Sequence, residues 1–395
     1  MKSGYKYKIA FLINNLYAGG AERTLSIIIE KLQEEFEIEL ICLEKRDFYD
    51  IPKNIKRVYL SNLTGNESAV IKFFYLPIFA WKLKKYTTKN NIKLVQSHLF
   101  RANFVNILSK LIGAKHKTQV VNSTLISRYL KNGIAGKINL KLIKFLYPKA
   151  DLLIWKSKGM KRDAEKLITM KTKQVIINNP INIDKIQEYS KERVVEFCFQ
   201  KSKIYLISVG RLIKLKRKQD LINVLPYLPK EVNIIFIGNG EEKDKLIQLS
   251  IKLGVKDRVH LIGTTANPFK FLSKSDVFVN TSEVEGFPNV LVEAMACGLP
   301  VISSDCSSGP REILAPDTDI NKKLKKGDGI ELAKYGILYP PGDEKSLLKA
   351  INLIIKNRNL REKYSKYGMW RAKDFSTDEI IPIYRKTIID SLKST

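Results

Sequence analysis

The sequence predicts an α/β protein built from two doubly wound parallel sheets, one after the other. Short apolar runs alternate with helical patterns along most of the chain, as expected of parallel strands joined by helices. The alternation breaks at the turn-rich Asn179-Pro180-Ile181-Asn182 and then starts again. At 395 residues the chain is also too long for one ordinary core. A hydrophobic content of 44% argues against disorder.

The first expected strand is Lys8–Asn14. Its basic start and short apolar run resemble a signal peptide, but Asn14 and Asn15 stand where small cleavage-site residues belong. A loop containing Gly19-Gly20 leads into a helix to about Glu34. Two glycines between strand and helix let backbone approach a ligand, although a plain turn uses them equally well. The absence of G-x-G-x-x-G weakens a dehydrogenase reading. Further strands are expected at Ile38–Leu43, Val58–Leu60, Leu94–Ser97, Gln119–Asn122, Leu152–Trp155 and Val175–Asn178, with a helix at Asn103–Leu111. Ligands of such sheets bind beyond the strands' carboxyl ends. Ser97-His98-Leu99 lies at one such end, though a lone histidine is more often structural.

Residues 1–183 form the expected first domain, Asp184–Arg193 a connector, and 184–376 the second domain. Strands are expected there at Lys203–Gly210, Asn233–Ile237, Val259–Ile262, Asp276–Asn280, Val301–Ser303 and Ile337–Leu338. Helices at about Glu344–Lys356, Arg358–Tyr367 and Asp378–Ser391 follow. The stretch Thr281–Pro300 concentrates the chemistry. A strand runs into the loop Glu285-Gly286-Phe287, Pro288 suits a first helical turn, and Val290, Leu291, Ala294 and Met295 make an apolar stripe that Gly298 and Pro300 end. Loop and helix start, through Gly286, Phe287, Pro288, Asn289 and Val290, make a place for phosphate. Glu285 and Glu293 would repel an anion, so their fitting partners are hydroxyls, as for ribose in dinucleotide sites. The pattern suits a sugar nucleotide, or else a capped surface helix with solvated acids. Arg211, Lys214 and Lys216 follow the first strand of this half, and Gly238-Asn239-Gly240 makes a flexible turn near the same edge. Asp317-Thr318-Asp319 sits in a polar loop and reads as solvated; no metal site is expected.

No run of 18 apolar residues appears, so no span is expected. Four cysteines show no paired metal spacing. The net charge is +29, and the first 183 residues carry +20 of it. Polyanions, either nucleic acid or anionic lipid, fit that balance. In Ile71–Tyr86 the aromatics Phe73, Phe74, Tyr75, Phe79 and Trp81 lie among Lys72, Lys82, Lys84 and Lys85. That segment reads as a dock for an anionic membrane, or alternatively as core under the sheet.

The span EGFPNVLVEAMACGLPVISSD, with Glu285 and Glu293, resembles the signature of the retaining family 4 glycosyltransferases. The resemblance implies the GT-B fold: two Rossmann-like domains facing each other across a cleft, acceptor side first and nucleotide-sugar side second. It also implies that the final segment, 377–395, crosses back to the first domain. These enzymes move sugar from a nucleotide diphosphate with retention of configuration and without metal or other cofactor. VGRLIKLK resembles the motif whose arginine and lysine hold the diphosphate, here Arg211 and, by register, Lys216, with Lys214 left open. Relatives often have glycine after that lysine; this chain has Arg217. GGAER resembles the segment that sets Gly19 and Gly20 against donor phosphates and acceptor. SHLFRAN resembles the one whose histidine, His98, faces the donor sugar, and Gly238 and Gly240 fall in a turn placed against base and phosphates. The expected activity is transfer of a hexose or N-acetylhexosamine from a UDP-sugar to a lipid-linked saccharide, at the cytoplasmic face of a membrane, with no nucleic-acid partner. Two other readings remain: a basic nucleic-acid-binding protein, and another GT-B enzyme such as a sugar-nucleotide epimerase.

Overall fold

The structure, a computed structural model, describes residues 6–17, 19–131 and 133–394. Met1–Tyr5, ahead of the expected first strand, and Ala18 of the glycine loop lie outside them. The chain forms two compact units, Met1–Pro180 with Thr377–Thr395, and Ile181–Ser376. Both are α/β, and each is built on a sheet of seven strands.

In the first unit the strands are β1 (Lys8–Ile13), β2 (Glu37–Cys42), β3 (Lys56–Tyr59), β4 (Leu94–His98), β5 (Lys117–Asn122), β6 (Leu152–Trp155) and β7 (Lys173–Ile176). Their order is β3-β2-β1-β4-β5-β6-β7, all parallel. The helices are α1 (Gly20–Leu32), α2 (Ala69–Lys89), α3 (Phe100–Leu111), α4 (Gly133–Leu146) and α5 (Lys158–Glu165). β1, β4 and β5 are almost wholly buried, which is why they read as unbroken apolar runs rather than as alternation. The aromatic run is a 21-residue helix, α2, started by Ser68, whose side chain accepts from the Ile71 N–H.

The second unit has β8 (Ile204–Val209), β9 (Val232–Ile237), β10 (Val259–Gly263), β11 (Val277–Asn280), β12 (Val301–Ser304), β13 (Glu331–Leu332) and β14 (Ile337–Tyr339). Their order is β10-β9-β8-β11-β12-β14-β13, and only the short edge strand β13 runs antiparallel. Its helices are α6 (Ile183–Ser190), α7 (Gln219–Val224), α8 (Lys243–Lys252), α9 (Phe269–Leu272), α10 (Asn289–Ala296), α11 (Pro310–Leu314), α12 (Glu344–Lys356) and α13 (Arg358–Lys373). Apolar cores cover both faces of this sheet. The expected connector Asp184–Arg193 is mostly helix α6, whose Ile186 joins one of those cores. Its charge hid one buried face.

The last helix, α14 (Thr377–Lys393), belongs to the first unit and packs beside α1. Ile380, Ile381, Tyr384 and Ile388 complete the core under that face of the sheet. On the other face α3 packs against both α2 and α4, as right-handed crossovers into β4, β5 and β6 require.

Candidate active site

Strand order reverses direction between β8 and β11 in the second unit, and ligands of open α/β sheets bind at such a switch, beyond the strands' carboxyl ends. Two segments emerge there: residues 210–218 after β8, and 281–290 after β11. They are bonded to each other. The Thr281 hydroxyl donates to the Lys216 carbonyl (2.7 Å), the Glu283 N–H donates to the Leu215 carbonyl (2.9 Å), and Lys216 Nζ donates to Glu285 Oε1 (2.6 Å). One basic motif and one acidic motif thus form a single unit around an ion pair. Glu285 is the more enclosed partner, with 9% of its side chain exposed against 22% for Lys216. Of the two candidate lysines, Lys216 makes this pair; Lys214 and Arg211 are exposed.

Pro288 is the N-cap of α10 rather than its first helical residue. Glu293, the fifth residue of α10, is 4% exposed. Of the expected stripe, Leu291, Ala294 and Met295 are buried, while Val290 is half-buried and lies near the helix start. Phe287 enters the expected donor-binding set through the loop backbone, and its ring lies elsewhere. It stands edge-on to Phe375 at 5.2 Å within the core, so at this position only backbone is left for a ligand.

Gly238, after β9, has φ +135°, and a Cβ there would collide with the Gly210 carbonyl. The Gly238 N–H donates to the Gly263 carbonyl (2.8 Å), so three strand-end turns pack backbone on backbone. A Cβ on Gly240 would likewise meet the Leu212 backbone. Packing alone therefore accounts for both glycines.

Sequence reasoning passed over three parts of this edge. The first is Gly309, at φ +89°, where a Cβ would run into Pro288 and the Gly286 carbonyl. Ser308 Oγ also donates to that carbonyl (2.9 Å), so the loop before α11 buttresses the α10 start. The second is buried Arg311, which spans Asp305 (2.6 Å) and Glu331 (2.9 Å). The pattern SDCSSGPRE after β12 was the available signal for both. The third is Lys218, 2% exposed, whose Nζ donates to Ser208 Oγ (2.6 Å); that hydroxyl donates to the Val279 carbonyl (2.5 Å). Burial lowers its pKa to about 7, with the Lys216 charge adding to the effect and Glu285 opposing it.

Arg217 adopts the left-handed conformation, φ +46° and ψ 41°, which explains why glycine suits this position. Its guanidinium grips Asp220 at 2.8 and 3.0 Å, and a bidentate pair with a nearly buried carboxylate offsets the backbone cost.

In the first unit the switch lies between β1 and β4. Gly19 is the N-cap of α1, and Gly20 its first residue. His98 ends β4 but is 1% exposed, with Nε2 3.1 Å from Gln96 Oε1 and its ring tilted against Phe11. Desolvation, and secondarily Lys156, push its pKa well below the usual value, so it is a neutral imidazole inside the wall. As placed, the ring has no face open to a sugar. Buried Lys156 donates to the Tyr384 hydroxyl of α14, and burial lowers it to about 7.

The membrane-docking set divides. Phe73, Phe74 and Trp81 are exposed, while Phe79 is core. Lys72, Lys82 and Lys84 donate to the carbonyls of Gly65, Leu60 and Ile112, at 2.6, 2.7 and 2.6 Å. These three lysines hold α2 to its own unit. Lys85 is exposed, its Nζ 5.4 Å from the Trp81 ring centre. Among the described residues no cluster of three or more His, Cys, Asp or Glu could hold a metal, and no helix is long and apolar enough to cross a membrane.

Two seven-stranded sheets, parallel but for one short edge strand, with bonded basic and acidic motifs at the switch point of the second, define a protein of the GT-B class. Residues 18–185 match the family model described as Glycosyltransferase Family 4, and residues 191–370 the one described as Glycosyl transferases group 1. The chain is 30% identical over 375 residues to a Campylobacter jejuni protein, covering 94% of this chain and 97% of that one. That relative is named N-acetylgalactosamine-N,N'-diacetylbacillosaminyl-diphospho-undecaprenol 4-alpha-N-acetylgalactosaminyltransferase. An uncharacterized glycosyltransferase of Methanocaldococcus jannaschii is 33% identical over 78% of this chain and 82% of its own. Among solved structures, Anabaena HepE in complex with UDP superposes with a TM-score of 0.77 at 21% identity, covering 97% of this chain and all of that one. The chain belongs to the group 1, family 4 glycosyltransferases and is a glycosyltransferase.

Proposed function

We propose that the protein transfers an N-acetylhexosamine or hexose from a UDP-sugar to a saccharide carried on a polyprenyl diphosphate, with retention of anomeric configuration. The observation that carries this reading is the Lys216–Glu285 pair at the start of α10, which sets a cation and an anion side by side where a diphosphate-linked sugar needs both. Lys216 and Arg211 meet the charge that builds on the leaving diphosphate as the glycosidic C–O bond breaks. Glu285, oriented by Lys216, accepts from hydroxyls of the transferred sugar, and Glu293 from the ribose. A leaving phosphate oxygen takes the proton of the incoming acceptor hydroxyl on the same face, so the new bond keeps the donor's configuration. No protein nucleophile, metal or further cofactor takes part.

UDP is proposed because the similar Anabaena structure binds it, and a lipid-linked acceptor because the Campylobacter relative is named for one. In this reading the second unit holds the donor, the first receives the acceptor, and the enzyme works at the cytoplasmic face of a membrane. Thermal protection across a panel of nucleotide sugars tests the donor assignment. Stabilisation by UDP-sugars at millimolar concentration is expected, and none by any nucleotide sugar would remove the reading.

A further inference from the structure

Between Glu67 and Asp151 the chain has no aspartate or glutamate, yet it has sixteen lysines and arginines. That span makes α2, α3 and α4, the helix layer on one face of the first sheet. Among the described residues two of the cations are neutralised from outside it, Arg101 by Glu44 (2.5 Å) and Lys110 by Asp151 (2.6 Å). A solvated helix layer of ordinary proteins mixes both signs of charge. This one does not.

The layer also exposes apolar side chains on both flanking helices. Along α4, Gly136, Leu140, Ile143 and Leu146 face inward and are buried. The opposite side shows Ile134 (79% exposed), Ile138 and Phe145 (63%), at helical spacing with exposed Lys137, Lys141 and Lys144. On α2, Phe74 (68%), Ile78 and Trp81 are exposed. Beside Trp81 a shallow hollow of about 360 Å³ is lined by Lys84, Lys85, Thr88 and Lys89. Patches of this kind on a water-facing surface mark a binding face.

The geometry points to an anionic lipid surface as the partner of this face, with α4 as a docking helix in its own right beside α2. This deepens the lipid-linked acceptor reading and rests on it. The occupant follows from chemistry. Lysines flanking Ile, Phe and Trp match a headgroup layer above acyl chains, where each lysine near the surface contributes attraction and each apolar side chain inserts. A nucleic acid would reward the lysines but leave Ile134, Ile138 and Phe145 in water. A second copy meeting the same face would set two acid-free surfaces against each other, at a cost in repulsion.

The test uses the full chain and vesicles of one part phosphatidylglycerol to three parts phosphatidylcholine, at about 0.1 M salt. Lys137→Gln with Lys141→Gln should weaken cosedimentation by roughly thirtyfold, the loss of two near-surface lysines. Ile134→Ser with Phe145→Ser should weaken it at least as much. Both exposed pairs should leave the melting temperature within a degree or two, and turnover of a water-soluble short-chain acceptor unchanged. Cosedimentation equal to the parent's for both pairs would overturn the role of α4, as would equal binding of the parent to pure phosphatidylcholine. Loss of a dimer in sedimentation without vesicles would overturn it too, by making the face a self-interface. Absence of any transfer by the parent would count against the transfer reading alone, because the vesicle arm needs no substrate.

Discussion

Replacing Lys216 by alanine probes the ion pair that joins the two motifs. Its Nζ lies 2.6 Å from Glu285 Oε1, and the pair is mostly shielded from water. The change has two consequences of different size. The fold loses one charged hydrogen bond and leaves Glu285 without this partner, about 1–3 kcal/mol. That is tolerable in a protein with a total stability of about 5–15 kcal/mol. The reaction loses a donor aimed at the leaving diphosphate, about 3 kcal/mol of transition-state stabilisation, or roughly a hundredfold in kcat. Glu285→Gln separates the two parts. If Lys216 served only to hold Glu285, both variants and the double variant would slow turnover equally. Direct action on the diphosphate makes Lys216→Ala slower than Glu285→Gln. Lys214→Ala, one residue pair earlier and exposed, should stay within about threefold of the parent. The assay is steady-state transfer of labelled sugar with kcat and KM resolved, beside a thermal melt of each variant. A kcat for Lys216→Ala within threefold of the parent, with folding intact, would refute the reasoning, and so would a greater loss at Lys214.

Glu293→Gln should raise the KM for the nucleotide sugar by about tenfold with kcat nearly kept, since a ribose contact binds ground and transition states alike; a fall in kcat alone would exclude that role. Arg217→Gly relieves a left-handed residue, worth about 1–2 kcal/mol, but strips nearly buried Asp220 of its bidentate partner, worth about 3–5 kcal/mol. The variant should therefore melt lower, and a higher melting temperature would show the backbone term to be the larger. Burial takes Lys156 and Lys218 from 10.5 to about 7. Between those values the unfolded chain holds a proton that the folded chain lacks, so stability rises with pH through this window and is flat below about 7. Each lysine contributes up to about 1.4 kcal/mol per pH unit. Lys218→Met should flatten the rise in melting temperature from pH 7 to 9, and an unchanged slope would place the Lys218 ammonium in contact with water.

The fold was legible because parallel strands buried on both faces leave short apolar runs such as Ile9–Ile13 and Val277–Val279, which recur between helical patterns and are bounded by turn residues. Less legible were segments whose burial is one-sided or mixed with charge. α4 shows Gly and Asn among its apolar residues, and α6 hides Ile186 among charges. At the site, Glu285 and Lys216 were found from motif and register, but their contact depends on the turn after β8 folding onto the loop after β11, over 69 residues of sequence. Gly309 escaped for the same reason: its need for a missing Cβ exists only because Pro288 and Gly286 lie against it. His98 was read as structural or, by the resemblance, as facing the donor sugar, and polar residues at a strand end do not reveal whether later chain covers them. Phe287 sits inside the motif with its backbone at the loop, and Phe375, the partner that turns its ring inward, lies far along the chain.

The product of a single transfer distinguishes retaining sugar transfer to a lipid-linked saccharide from every alternative. The protein is incubated with UDP-N-acetylhexosamines and UDP-hexoses, each with a short-chain polyprenyl-diphosphate N-acetylhexosamine, and the lipid product is weighed by mass spectrometry and its new linkage read by proton NMR. The expected product carries one added sugar residue from one of the α-linked donors, with an α coupling constant at the new anomeric proton and undiminished yield in EDTA. A β linkage, a yield abolished by EDTA, or conversion of the donor with no acceptor modified would contradict that expectation.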